Sequence, residues 1–154
     1  MDEDKLNRLP PDVKKQFIKL ASKLSEKKQK TKVHDDFLTF VKHCWPEFIE
    51  GAHHKKIAEK FNDIANKKIK RLIINMPPRH TKSEFASFLL PAWMVGRKPD
   101  LKIIQSTHTT ELAIRFGRKA KNLMDSAEYK QVFDTRLRED SQAAGKWETQ
   151  QGGE

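Results

Sequence analysis

The chain has 154 residues and a mass of 18.0 kDa, with 34% charged and 36% apolar side chains. That is room for one ordinary domain with a core, or a small helical domain and part of a larger one; a complete two-domain enzyme and disorder throughout are both excluded. A net charge of +10 and a pI near 9.7 point to an acidic partner, nucleic acid being the commonest, against the plainer reading of a lysine-rich solvated surface.

The opening "MDEDKLNR" is acidic and lacks the apolar centre of a signal peptide. Neither "LIINM" nor "FASFLLPAWMV" approaches the roughly 20 apolar residues of a membrane span, so no membrane association and an intracellular location are expected. Residues 10–30 set Val13, Phe17, Leu20, Ala21 and Leu24 at helical spacing behind two prolines, which predicts an amphipathic helix with a basic face. A second helix is predicted from "HDDFLTFVKHCW", capped by Asp35, with Phe37, Phe40, Val41 and Cys44 or Trp45 inward and Pro46 as its stop. After Gly51 a third carries Ile57, Phe61, Ile64 and Ala65 on one stripe.

The pattern then changes. "IKRLIINM" and "LKIIQST" are short β-rich runs, expected as strands buried on both faces. Between them "KSEFASFLLPAWMVG" reads as a helix packed on a sheet, broken or kinked at Pro91 and C-capped at Gly96. Strand, loop, helix and strand predict a right-handed βαβ unit. "TTELAIRFGRKAKNLMD" is a further helix with Leu112, Ala113, Phe116, Ala120 and Leu123 inward and a cap at Thr107 or Thr109. A short helix at "AEYKQVF", a strand in "GKWET" and a turn at "QGGE" complete the chain.

"NMPPRHTKSEF" sits at the first strand-to-helix turn. A phosphate site there needs backbone amides aimed at the anion, a helix N-terminus and a lysine that reaches the β- and γ-phosphates. Counting back from Lys82 puts Met76 and Thr81 where the written phosphate-loop motif has glycines. The context still fits: Lys82 is placed to pair with phosphate, Ser83 to ligate Mg²⁺, and Arg79 to grip a γ-phosphate with its planar fork. Pro77 and Pro78 stiffen the loop, while the Thr81 Cβ crowds the approach to the β-phosphate unless its hydroxyl caps the helix or donates to phosphate. The plainer reading makes Lys82, Ser83 and Glu84 an ordinary polar first turn, with Glu84 favoured by the helix dipole.

From "WPEFIEGAHHKKIAEKF" through "KRLIINMPPRHTKSEFASFLLPAW" and "LKIIQSTHTTELAIRFGRKAKNL" to "DSQAAGKWET", over about residues 35–154, the chain resembles the N-terminal part of the large terminase subunit of tailed bacteriophages. Those proteins are ATP-driven motors that push genomic DNA into the procapsid. The resemblance implies an α/β fold in which a P-loop NTPase-type βαβ core, an incomplete parallel sheet, follows an N-terminal helical segment. It divides the chain into a basic helix and linker (1–34), a helical lead-in (35–68) and a partial ATPase domain (69–154). It implies ATP and Mg²⁺ as cofactors, held by Pro78, Arg79, His80, Thr81, Lys82, Ser83 and Glu84, with Ser83 on the metal. Its implied partners are double-stranded DNA, the terminase small subunit and the portal protein, in the host cytoplasm.

No apolar strand in the chain ends in paired acids: Asp35–Asp36, Asp125 and Glu139–Asp140 all follow other contexts. The acidic strand and nuclease of that family are therefore expected beyond residue 154, and ATP binding without turnover is expected of this truncated chain. His53 and His54 are expected as surface or capping residues before adenine contacts, and Cys44, Trp45, Trp93 and Trp147 as core. Two other functions compete: a basic module that binds DNA or a partner without nucleotide turnover, and a fragment of a helicase-like ATPase.

Overall fold

The computed structural model describes residues 10–143 and 146–153; the acidic opening at 1–9, and Ala144 and Gly145 before the expected final strand, lie outside the described residues. The chain divides into two compact units, Met1–Thr31 and Lys32–Glu154. Helix α1 (Pro11–Asp35) has Pro11 at its start, Asp12 in its first turn and Lys32 and His34 in its last, the charge arrangement that a helix dipole favours. It runs five residues past the predicted end at 30.

In the second unit, α2 (Phe37–Cys44) begins at Asp36, not at the expected Asp35. Asp35 is still helical and pairs with His34 Nδ1 at 2.7 Å. Asp36 has the extended conformation of a cap, and its carboxylate accepts the Thr39 amide at 2.8 Å and the Thr39 hydroxyl at 2.6 Å. Asn62, on α3 (Ala52–Ala65), donates to the other Asp36 oxygen at 2.8 Å and accepts the Phe37 amide at 2.9 Å. One asparagine thus ties the start of α2 to α3.

Phe37, fully buried, is packed edge-on by Phe61 (5.1 Å between ring centres), Phe85 (5.4 Å) and Trp93 (5.4 Å). Trp93 donates its indole N–H to the His34 carbonyl at 3.0 Å, which satisfies its polar atom within the core. Trp45 and Trp147 pack against the same core half-buried. Burial pushes the Cys44 thiol up to about 12, with Glu128 adding to the shift, so it stays protonated at neutral pH and serves as packing.

The expected βαβ core and its parallel sheet do not form. Residues 71–77 and 101–107 belong to no strand, and the sheet among the described residues is the antiparallel pair β1 (Leu137–Gln142) and β2 (Trp147–Thr149). Both runs nevertheless alternate in burial. Leu72, Ile74 and Met76 face inward, as do Leu101, Ile103 and Gln105, while Ile73 is 85% and Ile104 98% exposed. Only one face is covered, where two had been expected. An apolar run of this length records a preference for extended backbone but not whether a neighbouring strand lies alongside to complete a ladder. The incomplete P-loop-type sheet is therefore replaced by a mainly helical fold with two unpaired extended segments.

Between those segments, α4 (Lys82–Glu84), a π-helical turn (Phe85–Leu89) and α5 (Leu90–Arg97) form one continuous helical stretch. The wide turn lies just before Pro91, whose missing N–H removes one helical hydrogen bond; the Leu90 amide closes instead on Phe85 O, five residues back. Gly96 is not the C-cap. The helix continues through Arg97, and a Cβ at Gly96 would meet the Tyr129 hydroxyl at 2.6 Å and the Phe133 ring at 2.7 Å, so glycine is needed there for packing. α6 (Thr110–Asp125) is capped by Thr109, one of the two expected threonines, and α7 (Ala127–Val132) by Ser126. The "QGG" turn folds back so that Thr149 Oγ1 donates to Pro99 O at 2.6 Å. No helix among the described residues is long and apolar enough to cross a membrane.

Burial opposes the charge on Asp36, but the hydrogen bonds from Thr39 and Asn62 outweigh it and hold the carboxyl below its ordinary value. Its folded form therefore titrates below its unfolded form. Its contribution is complete above roughly pH 4 and is lost as pH falls through the folded value. Asp36→Ala should lower unfolding free energy by about 1–2 kcal/mol in urea at pH 7, and the deficit relative to wild type should shrink between pH 4 and pH 2.

Candidate functional site

The stretch from Asn75 to Glu84 takes in the end of the first extended run, the turn at 78–81 and α4. Two of its residues, Arg79 (φ 64°) and Thr81 (φ 57°), are in the left-handed region that L side chains rarely occupy. For a β-branched threonine this conformation is costly, on the order of 1–3 kcal/mol, and persists only where surrounding contacts enforce it. His54 supplies that enforcement.

The Gly51 amide can only donate, and it does so to His54 Nδ1 at 2.9 Å. The proton of the neutral ring is therefore on Nε2, which donates to Thr81 Oγ1 at 2.6 Å. The Thr81 hydroxyl in turn donates to His80 O at 2.7 Å, and His80 Nδ1 donates to Pro78 O at 2.8 Å. Hydrogen bonds thus run from the start of α3 through the imidazole into the loop. The His54 ring is 5% exposed and packs against Phe48 (4.8 Å) and Phe85 (5.1 Å), one before α3 and one just after the loop. Burial is the main cause that holds His54 below its ordinary pKa, with His53 and His80 adding to the shift and Glu50 opposing it.

Thr81 stands at the N-cap position of α4, yet its side chain makes no capping bond, contrary to one of the two roles considered for it. A capping side chain needs extended backbone; the left-handed geometry aims this hydroxyl at His54 and at the preceding carbonyl. The Phe85 amide still closes on Thr81 O at 2.9 Å, so the helical stretch starts at the loop. Lys82 folds back across the turn, its ammonium donating to Met76 O at 3.3 Å. Pro78, Arg79, His80 and Ser83 are exposed, and Thr81 and Lys82 are half-buried.

Glu84 is engaged by another helix. Both its oxygens accept from Lys119 Nζ on α6, at 2.7 and 2.8 Å, and that ammonium also lies 5.6 Å from the centre of the Phe88 ring. The pair holds α6 to the helical stretch and leaves Lys82 as the ammonium of the loop. Beside the loop lies a hollow of about 280 Å³ whose lining includes His53, Ile57, Leu72, Ile74 and Met76. His53 Nε2 is buried there without a partner. The rings of His53, His54 and His80 are neighbours, but among the described residues no group of three His, Cys, Asp or Glu side chains is placed to hold a metal ion.

His54 is a cap, as one of the expected alternatives had it, but it is not on the surface, and its link to Thr81 was not anticipated. The signal was present: His54, Ile57, Ala58 and Phe61 share one helical stripe, all buried. Nothing in the sequence marks Lys119 as the partner of Glu84. The chain matches no family model, no curated protein and no solved structure.

Two outcomes follow from the strained threonine. Thr81→Ala keeps the left-handed backbone with a Cβ and strands the His54 N–H, and should cost about 1–3 kcal/mol. Thr81→Gly also loses the hydroxyl but relieves the backbone, so urea unfolding should place Thr81→Gly above Thr81→Ala in stability. In NMR titration His54 should protonate below pH 6.5. Since its folded form is the weaker base, its contribution is complete above that pH and is lost as pH falls through the folded value.

Proposed function

We propose that the loop 75–84 binds the phosphates of ATP with Mg²⁺, and that the chain is the ATP-binding portion of a motor of the phage terminase large-subunit type, which drives viral DNA into a procapsid. The observation that carries this reading is the ammonium of Lys82 folded back over a loop with two left-handed residues, at the point where a helical stretch of 16 residues begins. Alternating backbone handedness turns successive amides toward one side, which suits an anion. A lysine at that mouth can exchange its carbonyl for a phosphate oxygen.

Arg79 supplies a second, exposed cation, and Ser83 the hydroxyl next to Lys82 that suits a phosphate-bound Mg²⁺. When bound, that ion would supply positive charge to the phosphates. The neighbouring carboxylate, Glu84, is engaged by Lys119 and is not needed for this role. The hollow beside the loop, with its largely apolar wall, suits the base. The motor assignment itself rests on the resemblance of the quoted segments, and the net charge of +10 accords with DNA as the acidic partner.

Calorimetric titration of the folded chain with Mg-ATP should give saturable heat, with AMP binding more weakly and no phosphate released over hours. Lys82→Ala should weaken ATP at least tenfold, the loss of a bond of about 1.5–3 kcal/mol to a charged group. Equal binding by Lys82→Ala, or affinity for AMP matching that for ATP, would remove the phosphates from this loop. DNA affinity with a steep salt dependence, unchanged by ATP or by Lys82→Ala, would favour the basic binding module instead.

A further inference from the structure

In α1 every residue from 11 to 31 except Lys14 is exposed, including Val13 (45%), Phe17 (38%), Leu20 (59%) and Leu24 (52%). These four recur at intervals of four, three and four residues, and at about 100° per residue they lie within an arc of about 60°, while Ile18, also exposed, lies about 100° beyond that arc on the far side of Lys28 and Lys14. Such a narrow line is the seam of a coiled coil, not the broad face by which a helix joins a globular core. Water is a poor environment for it, and in proteins most of a helix's stability comes from packing its apolar face.

We propose that the Val13–Phe17–Leu20–Leu24 seam of α1 is a docking surface for an acidic amphipathic helix of a partner protein. Charge selects this occupant. Residues 11–31 hold seven lysines against Asp12 and Glu26. By the same angular count Lys14 and Lys28 border the seam on one side and Lys23 and Lys27 on the other, where a facing helix sets its own flanking charges. A second copy of α1 would bring lysine against lysine. Duplex DNA would neutralise the lysines and leave Phe17 and Leu20 in water. An anionic bilayer favours a wide apolar face, and here lysines close in on both sides of a narrow one. A helix with leucines in its seam and glutamates beside them satisfies both features together.

The test uses the full chain and two synthetic four-heptad peptides with leucine at a and d, one with glutamate and one with lysine at e and g. In fluorescence anisotropy at moderate salt the glutamate peptide should bind at least tenfold more tightly than the lysine peptide. Phe17→Ser with Leu24→Ser should weaken it tenfold or more while leaving Mg-ATP binding unchanged. Because those changes could unravel the helix, Lys23→Glu, Lys27→Glu and Lys28→Glu together provide a variant with its seam intact, which should now prefer the lysine peptide. Equal affinity for both peptides, binding of neither, self-association of the wild-type chain through the seam, or displacement of the glutamate peptide by phosphatidylserine vesicles or duplex DNA would each overturn the proposal.

Discussion

The hydrogen bond from His54 Nε2 to Thr81 Oγ1 is the constraint on which the loop depends. A β-branched residue does not adopt left-handed backbone by preference, and a loop of this length has other conformations open to it. The imidazole removes that freedom because both its nitrogens are committed, one to the Gly51 amide and the other to the threonine. Its ring also packs against Phe48 and Phe85, which touch each other at 5.5 Å, so it cannot rotate away without disturbing that cluster. Local strain in the loop is thus balanced by packing elsewhere, as is usual where a segment is held ready for a ligand.

That packing is only as firm as α3, and α3 is fixed from its other end. Asn62 bridges it to Asp36 and to the Phe37 amide, while Phe61 packs edge-on against the Phe37 ring. Phe37 also touches Phe85, the residue that follows α4, so the two sides of the loop share one aromatic centre. Lys119 and Glu84 then tie α6 to the same helical stretch. A loop held in this way would meet an anion with little reorganisation, which is the physical advantage of a preorganised site.

The helices were legible because their evidence is local. Apolar residues at intervals of three and four specify α2, α3 and α6 whatever surrounds them, with a capping side chain before α2 and α6 and a proline after α2. Whether the two β-rich runs pair was not legible in the same sense. "LIINM" and "LKIIQST" carry the composition of strands, but a strand exists only with a hydrogen-bonded neighbour, and no local pattern shows whether one is alongside. Gly96 misled for a related reason: it resembles a helix stop in sequence and is instead where Tyr129 and Phe133 need a bare backbone. At the loop, the contact made by Thr81 could not be read, since it comes from a histidine 27 residues away.

The most direct test of a loop preset for phosphate is to follow the backbone amides of residues 79–83 by NMR while inorganic triphosphate is added. The account predicts saturable shifts concentrated at Arg79, Thr81 and Lys82, accompanied in the wild type by a shift of His54 Nε2–H, with the loop shifts lost in His54→Phe although that variant remains folded. Shifts scattered over the lysines of α1 with the loop unmoved, or unchanged binding in His54→Phe, would contradict it.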